Sequence, residues 1–173
     1  SSSKNRTQRN DCFNSSGYCF GKLNLKNGDE YYEGEFFNGI AKGKGTYIWA
    51  KGTNAGDKYV GAFLNGKMHG YGTYTFANND SYIGQRRNDK MTEGTYFWGN
   101  GQFAGDKYEG SFLNDNKHGY GVYTRANGEQ IKGEFKDDKY VGSGSESGAL
   151  DWLKDTINTS PETVPSSQSS FGN

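Results

Sequence analysis

Rings and glycines alternate with other residues on a two-residue period along most of this chain. Starting at Tyr59, Gly61, Phe63, Gly66, Gly70, Gly72 and Tyr74 follow at offsets of 2, 4, 7, 11, 13 and 15. The same offsets from Tyr32 give Gly34, Phe36, Gly39, Gly43, Gly45 and Tyr47. From Tyr108 they give Gly110, Phe112, Asp115, Gly119, Gly121 and Tyr123, and from Ile131 they give Gly133, Phe135, Asp138, Gly142 and Gly144. Tyr82 starts an irregular copy: Gly84 fits, but Arg86 and Asp89 stand in the places of Phe and Gly, and one residue is lost before Gly94-Thr95-Tyr96. A half copy precedes Tyr32, with Gly21 and Asn27-Gly28 placed like Gly121 and Asn127-Gly128. Side chains at even spacing share one face of a strand, so each copy predicts two strands.

The turns follow from the same residues. Asn38-Gly39 and Asn65-Gly66 are two-residue hairpin signals, because Asn and Gly tolerate positive φ. A turn at Asn65-Gly66 predicts Tyr59 opposite Gly72, Gly61 opposite Gly70 and Phe63 opposite Met68, with rings and glycines on one side. Between copies, a three-residue loop over Ala126-Asn127-Gly128 pairs Tyr123 with Ile131 and puts Gly128 in the left-handed position. Asn79 occupies the matching place before Tyr82. The opposite face carries Val60, Ala62, Lys67, His69, Tyr71 and Thr73 and is expected to be mostly wet.

At these residues the chain resembles the MORN (membrane occupation and recognition nexus) repeat family, through Tyr-x-Gly-x-Phe-x-x-Gly followed by Gly-x-Gly. Five copies and a half cover about residues 17–144. The resemblance implies an all-β fold: an elongated, single-layer antiparallel sheet of consecutive β-hairpins. It also implies binding rather than catalysis, with protein partners or an anionic membrane surface as the alternatives.

Composition explains how such a layer holds together. There are 27 glycines and 27 aromatics, against only 6 Leu, 5 Ile and 4 Val, so any core is built from rings. Charge is balanced at 20 basic and 20 acidic residues, which argues against a nucleic-acid partner. The balance is uneven along the chain, at 13 basic and 8 acidic residues over 1–90 and 7 and 12 over 91–173. No apolar run approaches the length of a bilayer span.

The flanks read differently from the repeats. Residues 1–16 are a polar extension, with Lys4, Arg6 and Arg9 before the first acid, and the chain opens on Ser1 rather than Met. Cys12 and Cys19 are the only cysteines. They are either two free thiols or, as expected here, a disulfide. A short Cys-to-Cys lead-in resembles exported members of the family, and a disulfide implies an extracytoplasmic compartment, with a cytoplasmic site beside a membrane as the alternative. After Gly144 the strand pattern stops. Residues 145–158 predict a short helix with Ser147 as its cap and Trp152, Leu153 and Ile157 on its apolar side with Ala149, a stripe that needs something to contact. Residues 159–173 form a Ser/Thr/Pro-rich tail.

Candidate chemistry is sparse. His69 and His118 stand at one repeat offset on different hairpins, too far apart to share a metal. No Gly-x-Ser-x-Gly elbow is present, and the Gly-x-Gly pairs lack a following helix or Gly-Lys-Ser/Thr. Carboxylates fall at apparently wet positions and turns. The expectation is no enzyme, no cofactor and no metal. Two binding features stand out instead. One is the ring face: Tyr32, Phe36, Tyr47, Trp49, Tyr59, Phe63, Tyr74, Tyr82, Tyr96, Trp98, Tyr108, Phe112, Tyr123 and Phe135. Its rings either pack on each other or meet a partner. The other is a basic spot at Arg86, Arg87 and Lys90, where the motif is irregular.

Overall fold

A computed structural model describes residue 12 and residues 16–25 and 29–144 of the chain. The predicted helix with Trp152, Leu153 and Ile157, and both tails, lie outside the described residues. Eleven strands are found among them: β1 (Tyr18–Leu25), β2 (Glu30–Phe37), β3 (Ile40–Ile48), β4 (Lys58–Leu64), β5 (Lys67–Thr75), β6 (Ser81–Arg87), β7 (Lys90–Phe97), β8 (Lys107–Leu113), β9 (Asn116–Thr124), β10 (Gln130–Lys136) and β11 (Lys139–Gly142). They form one open antiparallel sheet in which strand order follows chain order. No helix among the described residues is long and apolar enough to cross a membrane. The described chain divides into two compact units, one holding residues up to Ala77 and residues 85–89, the other residues 78–84 and 90–144.

The hairpin turns form as the sequence predicts. Asn38-Gly39 and Asn65-Gly66 both have two consecutive positive φ values, the signature of a type I′ turn. Asn88-Asp89, Asn114-Asp115 and Asp137-Asp138 adopt the same conformation without glycine. The aspartates compensate by hydrogen bonding: Asp89 Oδ1 accepts from the Met68 N–H, Asp115 Oδ1 from Met91 and Asp138 Oδ1 from Lys117, each at 2.9 Å. The loop between copies also matches, with Tyr123 paired to Ile131, Gly128 at φ 90° and Asn79 at φ 71°.

The register inside a hairpin differs from the simple expectation. Phe63 faces Met68 as predicted, but Gly61 faces Gly72 and Tyr59 faces Tyr74. The shift falls between Gly61 and Phe63, where residues 69–71 bulge opposite Ala62 and Gly70 takes φ 96°. The same shift occurs beside Gly43 and Gly119. A left-handed residue can absorb extra chain in one strand of a pair, and that is the work of the glycine at offset 11.

The bulge aligns the other glycines into rows across the strands. Gly21, Gly34, Gly45, Gly61 and Gly72 pair in succession in the first unit, and Gly94, Gly110, Gly121 and Gly133 in the second. Tyrosine rings lie over these rows. A Cβ on Gly61 would sit 2.4 Å from the Tyr59 hydroxyl oxygen and 2.5 Å from the Gly72 Cα. Each ring then sends its hydroxyl to a backbone carbonyl, Tyr32 to Glu35 at 2.8 Å, and Tyr59 to Ala62 and Tyr108 to Ser111 at 3.1 Å.

Candidate functional site

The ring face is a self-packed layer. Tyr32 meets Phe36 and Phe63 edge-on at 5.0 and 4.8 Å, and Tyr108 meets Phe112 and Phe135 at 5.2 and 5.0 Å. Each tyrosine thus contacts the phenylalanine of its own copy and that of the next, in the geometry that aromatic quadrupoles favour. Of the fourteen ring positions, twelve are at most 6% exposed, while Tyr47 and Trp49 are half-buried.

Arg86 belongs to this layer. At offset 4 it occupies the phenylalanine place, only 2% exposed, with its guanidinium carbon 5.8 Å from the Tyr59 ring centre and 4.9 Å from that of Tyr74. Its Nη1 donates to the Asp89 carbonyl at 2.7 Å. A planar guanidinium stacks on rings as a phenyl group does. The expected basic spot is therefore not a common surface: Arg86 is buried, Arg87 is exposed, and Lys90 pairs with Asp115 at 3.0 Å.

Carboxylates, three of them buried, hold the second tyrosine of four hairpins, contrary to the expectation that carboxylates are wet. Asp57 accepts from the Tyr74 hydroxyl through Oδ2 and from the Ala77 N–H through Oδ1. Asp106 does the same for Tyr123 and Ala126, and Asp80 for Tyr96 and Gly99. These three aspartates are 4%, 8% and 2% exposed. Glu30 takes the equivalent role for Tyr47 at 2.7 Å. All four acids stand two residues before the first ring of their copy. Burial, and then the carboxylate, push the Tyr74 and Tyr123 hydroxyls well above their ordinary value. Both oxygens of each aspartate are engaged inside the fold, so these pairs hold rings and present no reactive group.

Lys117 is, with Arg86, a buried cation among the described residues. It stands at offset 9, where two other copies carry Met68 and Met91, and it is 0% exposed. Its Nζ lies 3.1 Å from Asp138 Oδ1 and 5.4 Å from the Trp98 ring centre. Burial pushes its pKa down to about 8, against the pull of Asp138. The unfolded chain then holds a proton that the fold releases between about pH 8 and ~10.4, so stability rises with pH across that window. Lys117→Met copies the arrangement at Met68 and Met91, whose N–H groups also bond a turn aspartate. We expect the variant to gain about 1 kcal/mol near neutral pH and to lose the rise in urea midpoint between pH 7.5 and 9.5.

At the same offset the first full copy has Ala41, and a pocket of about 250 Å3 opens there. Leu23, Leu25, Phe36, Ile40, Tyr47 and Phe63 line it. Ile40 is 51% exposed at its rim. The ring layer is thus incomplete in this copy, where a small residue replaces Met.

At the entry to the sheet, Cys12 and Cys19 form a disulfide, with Cα atoms 5.3 Å apart. His69 Nδ1 accepts from the Asn88 N–H at 3.4 Å, and His118 Nδ1 lies 3.7 Å from Asp137 Oδ1. Among the described residues no group of three or more His, Cys, Asp or Glu side chains is arranged to hold a metal.

No curated protein sequence matches the chain. The MORN repeat family model matches residues 32–54, 59–81, 108–130 and 132–149, together half of the chain. The copy that it passes over begins at Tyr82 and carries Arg86 in place of phenylalanine. With half its length matched, and with the described parts of the matched segments folded as hairpins, the chain belongs to the MORN repeat family.

Proposed function

We propose that this protein is a non-catalytic interaction module that receives a protein partner on the ring side of its first hairpins. The observation that carries this reading is the pocket at Ala41. Elsewhere the ring layer is closed by its own side chains, so little of it is left for a partner. In the first full copy the pocket, Ile40, Tyr47 and Trp49 present apolar surface that none of the other described residues covers. Apolar pockets flanked by aromatic side chains are where binding energy concentrates in protein interfaces. The interlocked carboxylates and tyrosines support a structural role for the titratable groups on this side.

Ala41→Met tests the proposal. It restores the side chain that other copies carry, so it should hold or raise stability by about 1 kcal/mol while filling the pocket. Affinity capture from the native source should yield a partner with the wild-type chain and lose it with both Ala41→Met and Trp49→Ala. Identical capture by all three chains would reject the site.

A further inference from the structure

The large aromatics that escape the ring layer are on the other face. Phe20 and Tyr71 are 68% and 60% exposed, whereas the rings that pack over the glycine rows are nearly all below 9%. Both side chains line one groove of about 780 Å3 on the first unit. They stand on β1 and β5, four strand spacings apart, or ~19 Å. Beside the line joining them, one step along the strands, runs a cross-strand row formed by Glu33, Thr46, Val60 and Thr73, each paired with the next. Lys44 and Lys58 also line the groove.

We propose that this groove binds an oligosaccharide of a few rings, stacked on Phe20 and Tyr71. The C–H face of a pyranose packs on an exposed aromatic ring, and its hydroxyls both donate and accept. The groove offers both kinds of contact, with exposed rings for stacking and, along the same groove, Thr hydroxyls, a carboxylate acceptor and ammonium donors. Concave sites of this kind orient a ligand by a few polar groups set among apolar ones.

Other polymers fit less well. The floor strands β2, β3 and β4 are paired on both sides, so an extended peptide has no edge to join. An amphipathic helix needs a continuous apolar floor, and here Val60 is flanked by Thr46 and Thr73. A nucleic-acid backbone would run over the exposed carboxylates of Glu33 and Glu35.

The test is calorimetric titration of the full chain with soluble hexasaccharides of glucose, N-acetylglucosamine, mannose and galacturonic acid. At least one should bind, and its affinity should fall by about tenfold or more in Tyr71→Ala and in Phe20→Ala. Both side chains are exposed, so unchanged melting temperatures should show that both variants fold. Ala41→Met, on the other side of the sheet, should bind the sugar as the wild type does. The proposal is overturned if none of the four sugars binds, or if binding survives both alanine variants. It is also overturned if none of them competes while vesicles of phosphatidylcholine and phosphatidylserine are held through Tyr71 and Phe20. That result would make the face a lipid surface.

Discussion

Gly61→Ala should lower the unfolding free energy by about 3 kcal/mol or more, placing it among the most damaging small substitutions in the chain. The added methyl has nowhere to go. It would stand 2.5 Å from the backbone of Gly72 on the paired strand and 2.4 Å from the Tyr59 hydroxyl oxygen. Relieving the second contact swings out a ring that is 0% exposed, and relieving the first opens the β4–β5 ladder. Gly52→Ala separates this crowding from backbone strain. Gly52 has φ 78° with nothing within 4 Å of its would-be Cβ, so its replacement should cost only about 1 kcal/mol. Urea unfolding of the two variants should show that difference. Equal losses would mean that the glycine rows are conformational and that the rings do not depend on them.

The second large effect is expected at Asp106. Asp106→Ala removes the acceptor of both the Tyr123 hydroxyl and the Ala126 N–H, and leaves that hydroxyl buried. Each buried donor left without an acceptor costs about 1–3 kcal/mol, so losing the acceptor of two should cost about 2–5 kcal/mol. Asp106→Asn keeps one acceptor oxygen and should lose less than half of that. The corresponding change at Asp57, which serves Tyr74 and Ala77, should behave in the same way. A loss below about 1 kcal/mol for Asp106→Ala would mean that water replaces the carboxylate, and that the pair is a surface contact in solution.

These two predictions rest on features that differ in how readable they are. The hairpins, their I′ turns and the three-residue loops are legible because Asn, Gly and the two-residue period act locally, within a few residues of chain. The register was half legible. Turn closure at Asn65-Gly66 fixes Phe63 opposite Met68, but the bulge at Gly70 is a compromise between strand pairing and the volume of the Tyr59 ring, and spacing alone does not contain that volume. The buried aspartates had a signal, since Asp-x-Tyr recurs at residues 57–59, 80–82 and 106–108. A carboxylate two places before a ring points to the ring side of the sheet, where it needs a hydroxyl partner that lies on another strand, 16 or 17 residues away in the chain. Arg86, expected on a basic surface, and Lys117 share one arrangement. Each is a cation in a place that other copies give to Phe or Met, and its long stem and flat or compact head are accommodated among rings. The charge of Arg86 suggests a surface, but strand parity puts both residues on the ring side. The pocket at Ala41 depends on how Leu23, Leu25 and Ile40 pack around a small residue at offset 9, which spacing does not contain.

The central claim is that the aromatic residues of this chain are its core, folded over rows of glycine and largely withdrawn from water. Phenol titration reads it most directly. Burial first, with neighbouring carboxylates or carbonyl contacts modifying the effect, pushes the hydroxyls of Tyr32, Tyr47, Tyr59, Tyr74, Tyr108, Tyr123 and Tyr140 upward. A raised value in the fold means that the unfolded chain ionises first, so stability that is intact below pH ~10 is lost as the pH climbs above it. About one pH unit above that ordinary value, the urea-unfolded chain should show about nine-tenths of the phenolate absorbance of its 13 tyrosines. The folded chain should show roughly half of it or less, with the remainder appearing only as the circular dichroism of the sheet disappears. Phenolate absorbance equal to the unfolded chain's, from a chain that keeps its sheet at that pH, would contradict the account.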